Sequence, residues 1–267
     1  MTDNEKPKYG YFFIRPFAAL GILGVGGAIL AVLSFQFPPP FQWFLLGIGI
    51  PLAGIGLWLG LAYVRLSRSV FNVDNEGVMW STVTKFDKTL RGDEKVLDVG
   101  CGTGRVAISI AKRLTTGQVI GIDLFEWVSW SSSEIPIENA RIEGVGDRTE
   151  FKHGDATELP FEDASFDIVT MGSVLHEIEE EALKIKALNE VNRVLKPGGR
   201  FVIVELIRNR KMVAWLLFFA YVFKPLEYWN SLFGAFTDFH MGTPNIIKAP
   251  IDTVVYIMEK PGVLAEN

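Results

Sequence analysis

The chain falls into two parts with different hydrophobic patterns. Between residues 16 and 64 there is no Asp, Glu, Lys or Arg, a run of 49 residues. Two apolar stretches fill it, 17–37 and 41–64, separated by Pro38-Pro39-Pro40. A helix needs roughly 20 apolar residues to cross the hydrocarbon core of a bilayer, and both stretches reach that length. The proline triplet cannot continue a helix and predicts a tight loop. The pattern predicts a transmembrane helical hairpin over 16–68, with Pro51 kinking the second span. A signal peptide would have an apolar core of only roughly 7–15 residues and no second span behind it. A buried soluble hairpin would carry charge on at least one face, and neither helix does.

Beyond residue 94 the pattern changes to short β-branched runs alternating with helical spacing. Strands are predicted over Lys95–Val99, 118–122, 149–152, 166–171, 200–205 and Thr253–Glu259. Between them, Val106, Ala107, Ile110, Ala111 and Leu114 recur at helical intervals, as do Leu183, Leu188, Val191 and Leu195 in a helix over 179–195. A short helix is expected over 139–145, and a connecting helix over 74–90 with Met79, Val83, Phe86 and Leu90 on one face. Strands separated by helices imply a doubly wound, parallel sheet whose ligands bind beyond the strands' carboxyl ends. The domain plan is a tail (1–15), the hairpin (16–68), a connector (69–94), an α/β domain (95–260) and a tail (261–267).

Charge sharpens this plan. Residues 1–68 hold five basic and two acidic residues, leaving 21 basic and 29 acidic in the rest. Lys6, Lys8 and Arg15 precede the first span and Arg65 and Arg68 follow the second, while the loop between has none. The positive-inside rule then puts both termini and the α/β domain in the cytoplasm, as an integral membrane protein in contact with membrane lipids. The acidic total argues against nucleic acid as a partner. A single cysteine excludes a disulfide framework and a multi-cysteine zinc site, and no metal is expected. Nine glycines lie in the hairpin, including Gly56 and Gly60 four residues apart. Small residues let helices approach closely, so the spans can pack on each other or on a second copy, giving a homodimer.

The chemistry concentrates at the strand ends. In VLDVGCGTGR (96–105) the glycines allow a tight turn and close approach of a ligand to the backbone. A dinucleotide fingerprint would need glycine where Arg105 stands. Asp123 closes the second strand, where an acid can accept from both hydroxyls of a ribose.

Four segments, VLDVGCGTGR, GID (121–123), GDATELPFEDASFDIV (154–169) and LKPGGRFVIVE (195–205), stand in the order and spacing of a known family. They resemble the class I S-adenosylmethionine-dependent methyltransferases, and most closely the branch acting on small molecules, quinones and lipids. The resemblance covers about residues 95–205. It implies an α/β fold with a Rossmann-like, mostly parallel sheet and S-adenosylmethionine as cofactor, leaving as S-adenosylhomocysteine. By position it implies that Asp98, Gly100, Gly102 and Gly104 line the methionine part, with the small Cys101 inside the loop. Asp123 would take the ribose, Leu124 would lie against the adenine, and Asp155 would meet the adenine amino group beside the Ala156 amide. Met171, Gly172 and Ser173 would lie under the sulfonium.

His176 and Glu177 follow the fourth strand and are the first candidates for a base or an acceptor-binding group. His240, with Asp238, is a further candidate from the C-terminal region. Residues 212–240 hold ten of the 33 aromatics. This segment is expected to be an interfacial helix or lid touching the membrane, the alternative being a buried cover over the sheet. Tyr221, Tyr228 and Trp229 could hold a cationic amine by cation–π contact. The leading expectation is a membrane-anchored methyltransferase with a lipophilic acceptor: a phospholipid headgroup, quinone or prenyl lipid. The alternatives are a small soluble acceptor such as a thiol or phenol, and a cofactor-binding scaffold without turnover.

Overall fold

The computed structural model describes Pro7, Tyr9 and residues 15–69, 90–126, 132–248 and 252–262. The predicted connecting helix, Trp127, Trp130 and the last residues of the tail lie outside that set. Helix α1 (Arg15–Leu33) and helix α2 (Phe41–Ser69) form the predicted helical hairpin, with α2 running unbroken through Pro51. The seam is made by glycine. A Cβ added at Gly24 would sit 2.5 Å from the Gly56 Cα, and one at Gly27 would sit 2.7 Å from the Ala53 nitrogen. Gly60 lies against Gly21. The Gly56/Gly60 pair is therefore used within the chain.

The outer surface of the hairpin is apolar, with Ile22, Trp43, Phe44 and Leu57 all more than half exposed. The expectation of two full-length spans is met in part. Among the described residues one helical segment, Phe41–Ala62, is long and apolar enough to cross a membrane, while the apolar helix Gly21–Gln36 is shorter. The first helix gives way at Ser34 to a 3-10 turn, Ser34–Gln36, which limits its length.

In the second part the described residues form an α/β sheet of eight strands. Strands β1 (Lys95–Val99), β2 (Gln118–Asp123), β3 (Thr149–His153), β4 (Phe166–Gly172) and β5 (Leu195–Leu206) run parallel in the order β3-β2-β1-β4-β5. Strand β8 (Thr253–Glu259) adds antiparallel to β5, and β6 (His240–Met241) and β7 (Asn245–Ile247) pair with β8. The last strand thus departs from the parallel arrangement. Its connection from β5 returns over one face of the sheet rather than through a right-handed crossover.

Helices α3 (Arg105–Ala111), α4 (Glu134–Ile142) and α5 (Glu181–Val194) link the parallel strands. Helix α4 starts and ends earlier than predicted. Ser133 with Glu134 and Pro136 opens it, and Gly144, at φ +71°, turns the chain so that the Val145 amide reaches the Ala140 carbonyl. Pro197-Gly198-Gly199 is not a separate turn but lies inside β5. There the Gly198 amide and Gly199 carbonyl pair with Lys260.

The aromatic segment supplies helix α6 (Arg210–Leu216), a 3-10 turn (Leu217–Val222) and helix α7 (Leu226–Gly234). Trp229, Phe233 and Phe239 are buried against Tyr256 and Phe201 of the sheet. This part is a cover over the sheet, which corrects the expectation of a membrane-facing lid for 226–239. Tyr221 and Val222 remain exposed, and α6 comes within 8 Å of α2 between Cα atoms.

Candidate active site

The carboxyl ends of β1, β2, β4 and β5 share one edge of the sheet, because Val99 is level with Ile122 and Met171, and Gly172 with Val204. The chain leaves β1 toward β2 and β3, then returns to β4 on the other side. The crevice above β1 and β4 is therefore the topological switch point where ligands of such sheets bind.

The glycine loop is pinned from below. The amides of Gly100 and Cys101 both donate to the Ile122 carbonyl, at 2.8 and 2.9 Å. Gly100, Gly102 and Gly104 all have positive φ. A Cβ at Gly100 would lie 2.2 Å from Val174, so the glycine lets this loop meet the loop that leaves β4. A Cβ at Gly102 would meet nothing within 4 Å. Its glycine is set by backbone conformation, and the space above it is open to a ligand.

Asp98 is buried and spans β1 and α3: one oxygen accepts from the Ala107 amide at 3.1 Å, the other from the Thr170 hydroxyl at 2.7 Å. Burial pushes its carboxyl pKa up to about 7, with the two hydrogen bonds pulling the other way and the Asp123 charge adding to the rise. The side chain braces the loop and does not face the crevice. Cys101 is buried, and burial raises its thiol pKa well above the usual range, so it stays a neutral, small filler.

Asp123 does face the loop. Its carboxylate accepts from the Gly102 amide at 2.8 Å and, in a turn of its own, from the Phe125 amide at 2.9 Å. A carboxylate has about four acceptor positions, so two remain for a vicinal diol. Phe125 takes φ +51°, uncommon for a residue with a side chain, and is held there by this turn. Leu124 beside it is 42% exposed and can cover a flat ring. Asp155 is exposed and accepts from the Thr157 amide at 2.7 Å, with Ala156 in the same turn. Met171 is wholly buried, whereas Gly172 is partly open. Ser173 follows at φ +59°.

His176 sits between two carboxylates. Its Nδ1 is 2.9 Å from Glu205 and its Nε2 is 3.1 Å from Glu177. Burial lowers the imidazole pKa, but the hydrogen bonds and charges of Glu177 and Glu205 outweigh it and raise the pKa to about 9. A pKa raised in this way favours the protonated ring, which suits His176 to an ion-paired, acceptor-side role more than to that of a base. Glu177 is the half-exposed end of this trio.

His240 does not join it. It pairs with Glu259, which is level with Arg200 near the start of the parallel part of β5. Val204, four residues further along, marks the mouth, about 13 Å away at roughly 3.3 Å per residue. His240 is exposed at the opposite end of the sheet, and Asp238 is bonded to Asn192. In the proposed amine cage, two rings already carry a cation of the chain on one face and the third is buried. Arg208 lies over the Tyr221 ring at 4.8 Å, Lys224 over Tyr228 at 5.3 Å, and Trp229 is buried.

Three contributors were not foreseen. Glu205 is wholly buried at the end of β5, and a lone acid closing the apolar run VIVE is the signal that marks it. Asn139 of α4 donates to the Thr103 carbonyl at 2.9 Å, tying the glycine loop sideways. Buried Lys184 donates to the carbonyls of Ile178 and Glu179 and holds the entry to α5.

Comparison with known proteins agrees with this geometry. Residues 97–203 match the methyltransferase domain family. The demethylmenaquinone methyltransferase of Staphylococcus aureus strain MRSA252 is 42% identical over 128 residues, 48% of this chain and 49% of that protein. The chain thus spans about half the length of the curated relatives it matches. A S-adenosylmethionine-dependent methyltransferase from Methanosarcina mazei aligns with a TM-score of 0.52 at 22% identity, covering 67% of this chain and 97% of that one. A putative O-methyltransferase from Nostoc punctiforme aligns with a TM-score of 0.57 at 17% identity, covering 91% and 72%. At such identities the structures speak for the fold alone. The open Gly102 cradle and the Asp123 carboxylate fit a nucleoside, and the segment that builds them lies within the 97–203 match to the methyltransferase domain family.

Proposed function

We propose that this chain is a membrane-anchored methyltransferase that acts on a lipophilic acceptor of the isoprenoid-quinone class. The observation that carries the reading is the glycine-seamed hairpin with bulky apolar side chains on its outer face. Exposed apolar surface of that extent is unfavourable in water and favourable in a bilayer. Tyr9 supports the topology. It precedes α1, yet it is buried in the cluster formed by α3, which follows α2. Its carbonyl accepts from Arg105 at 2.9 Å. Both ends of the hairpin would then lie on the domain's side, and the basic flanks favour the cytoplasmic side.

When bound, the cofactor supplies an activated methyl group on a sulfonium. The chain's own residues position and enclose it. The Gly100–Gly104 backbone lines one side, Asp123 accepts the ribose hydroxyls, and Leu124 covers the ring. The β4-exit loop, residues 173–177, faces the acceptor side. Such a transfer depends mainly on alignment and exclusion of water. The acceptor class rests on the relative named for demethylmenaquinone.

The test uses the full chain in vesicles with methyl-labelled cofactor. Vesicles carrying reduced demethylmenaquinone should yield labelled quinone, and vesicles of phosphatidylethanolamine alone should not. Label on phosphatidylethanolamine, with none on the quinone, would reject this acceptor class.

A further inference from the structure

Glu205 makes an unusual set of bonds for a residue with no solvent contact. One oxygen accepts the amides of Val174 and Leu175, at 3.2 and 2.9 Å, and the other meets His176 Nδ1 at 2.9 Å. The same loop begins at Ser173, a residue with left-handed backbone that donates its amide N–H to the Val204 carbonyl at 2.7 Å. It also carries Val174, the side chain that abuts Gly100 of the cofactor loop. One buried carboxylate therefore ties the end of β5 to the acceptor-side loop just where that loop meets the glycine loop. From this geometry we infer that Glu205 is a positioning residue: with His176 it forms a charged clamp that sets the β4-exit loop against the cofactor loop.

The charged groups around the clamp are few. Glu177 meets His176 from the same loop and Glu205 from β5, while Phe223 packs its ring at 4.9 Å. Lys184 on α5 feels Glu205 and is itself flanked by Lys224, Glu179 and Glu181. A buried carboxylate that loses its cationic partner is left uncompensated. The clamp should therefore hold while His176 is protonated and weaken as pH rises through about 9. Stability from His176 is full below its ordinary pKa of about 6.5 and is lost on that alkaline rise.

The inference rests on the methyltransferase reading for its effect on turnover, but its main readout does not. With only three histidines in the chain, the ring of His176 can be assigned by NMR on the full protein in detergent micelles. In the wild type His176 should titrate near pH 9. In Glu205→Gln its midpoint should drop by about one unit or more toward 6.5, and Glu205→Asp should recover part of the shift. Turnover at pH 7.5 should fall about tenfold or more in Glu205→Gln, a loss of positioning. S-adenosylhomocysteine affinity should change by less than about threefold, since Glu205 does not touch the cofactor loop. If Glu205→Gln does not fold, the Val174 and Leu175 amide resonances of the wild type should still move with the His176 midpoint. An unshifted His176 in Glu205→Gln, or amides that ignore the titration, would overturn the clamp. A wild type that shows the titration but transfers no methyl group would leave the clamp standing and reject the activity.

Discussion

At the scale of single residues, the cofactor site depends on atoms that are small and on one that is charged. Gly100 is the sharpest case, because its positive φ and its contact with Val174 act together. Gly100→Ala should cost about 1–2 kcal/mol for the left-handed backbone and about 1–3 kcal/mol for overpacking. Adding Val174→Ala should return only the second part, as read from thermal unfolding of the two variants. Recovery of full stability in the double variant would mean that backbone strain is negligible there. Asp123→Ala should weaken S-adenosylhomocysteine binding by about 10–100-fold, since it removes a charged acceptor from the ribose and frees the Gly102 amide. Calorimetry that finds unchanged affinity would remove Asp123 from the site. The glycine loop and Asp123 were legible in the sequence because their backbone demands leave a composition signature. The roles of Asp98 and His176 were less so. Both residues were singled out, but burial and partners from other strands, Thr170 and Glu205, decide what they do.

At the scale of elements, hydrophobic periodicity predicted β1 to the residue and placed β2, β3 and β4 within one residue at each end. It misread α4, where Glu134 and Pro136 in the first turn and left-handed Gly144 at the end outweigh a weak apolar pattern, and it missed that β5 begins before the Pro-Gly-Gly. The aromatic segment shows why composition alone misleads. A run of Trp, Tyr and Phe suits a membrane interface and a sheet cover equally well, and pairing with Tyr256 of the last strand chose the cover. The hairpin can be tested as an element. Gly24→Leu should force α1 and α2 apart, because its Cβ has no room beside Gly56, whereas Gly26→Leu meets open space. Spin labels on introduced cysteines at Ile29 and Ile48 should report a longer distance in the first variant only. Equal distances in both would mean that the glycine seam does not hold the helices together.

At the scale of the whole molecule, a basic segment of 68 residues precedes an acidic α/β domain, and the two meet at places far apart in sequence. Tyr9 docks beside Arg105, 96 residues later, and α6 lies close to α2. No local pattern predicts such contacts, which is why the tail before the hairpin read only as a tail. Together they place the α/β domain close beside the hairpin; under the proposed function an acceptor leaving the bilayer would then have a short path to the mouth. The most direct test of that account supplies the full-length protein with methyl-labelled S-adenosylmethionine, a total lipid extract and a pool of water-soluble metabolites in one reaction. The account predicts label in the organic phase after extraction. Label confined to the aqueous phase would contradict it.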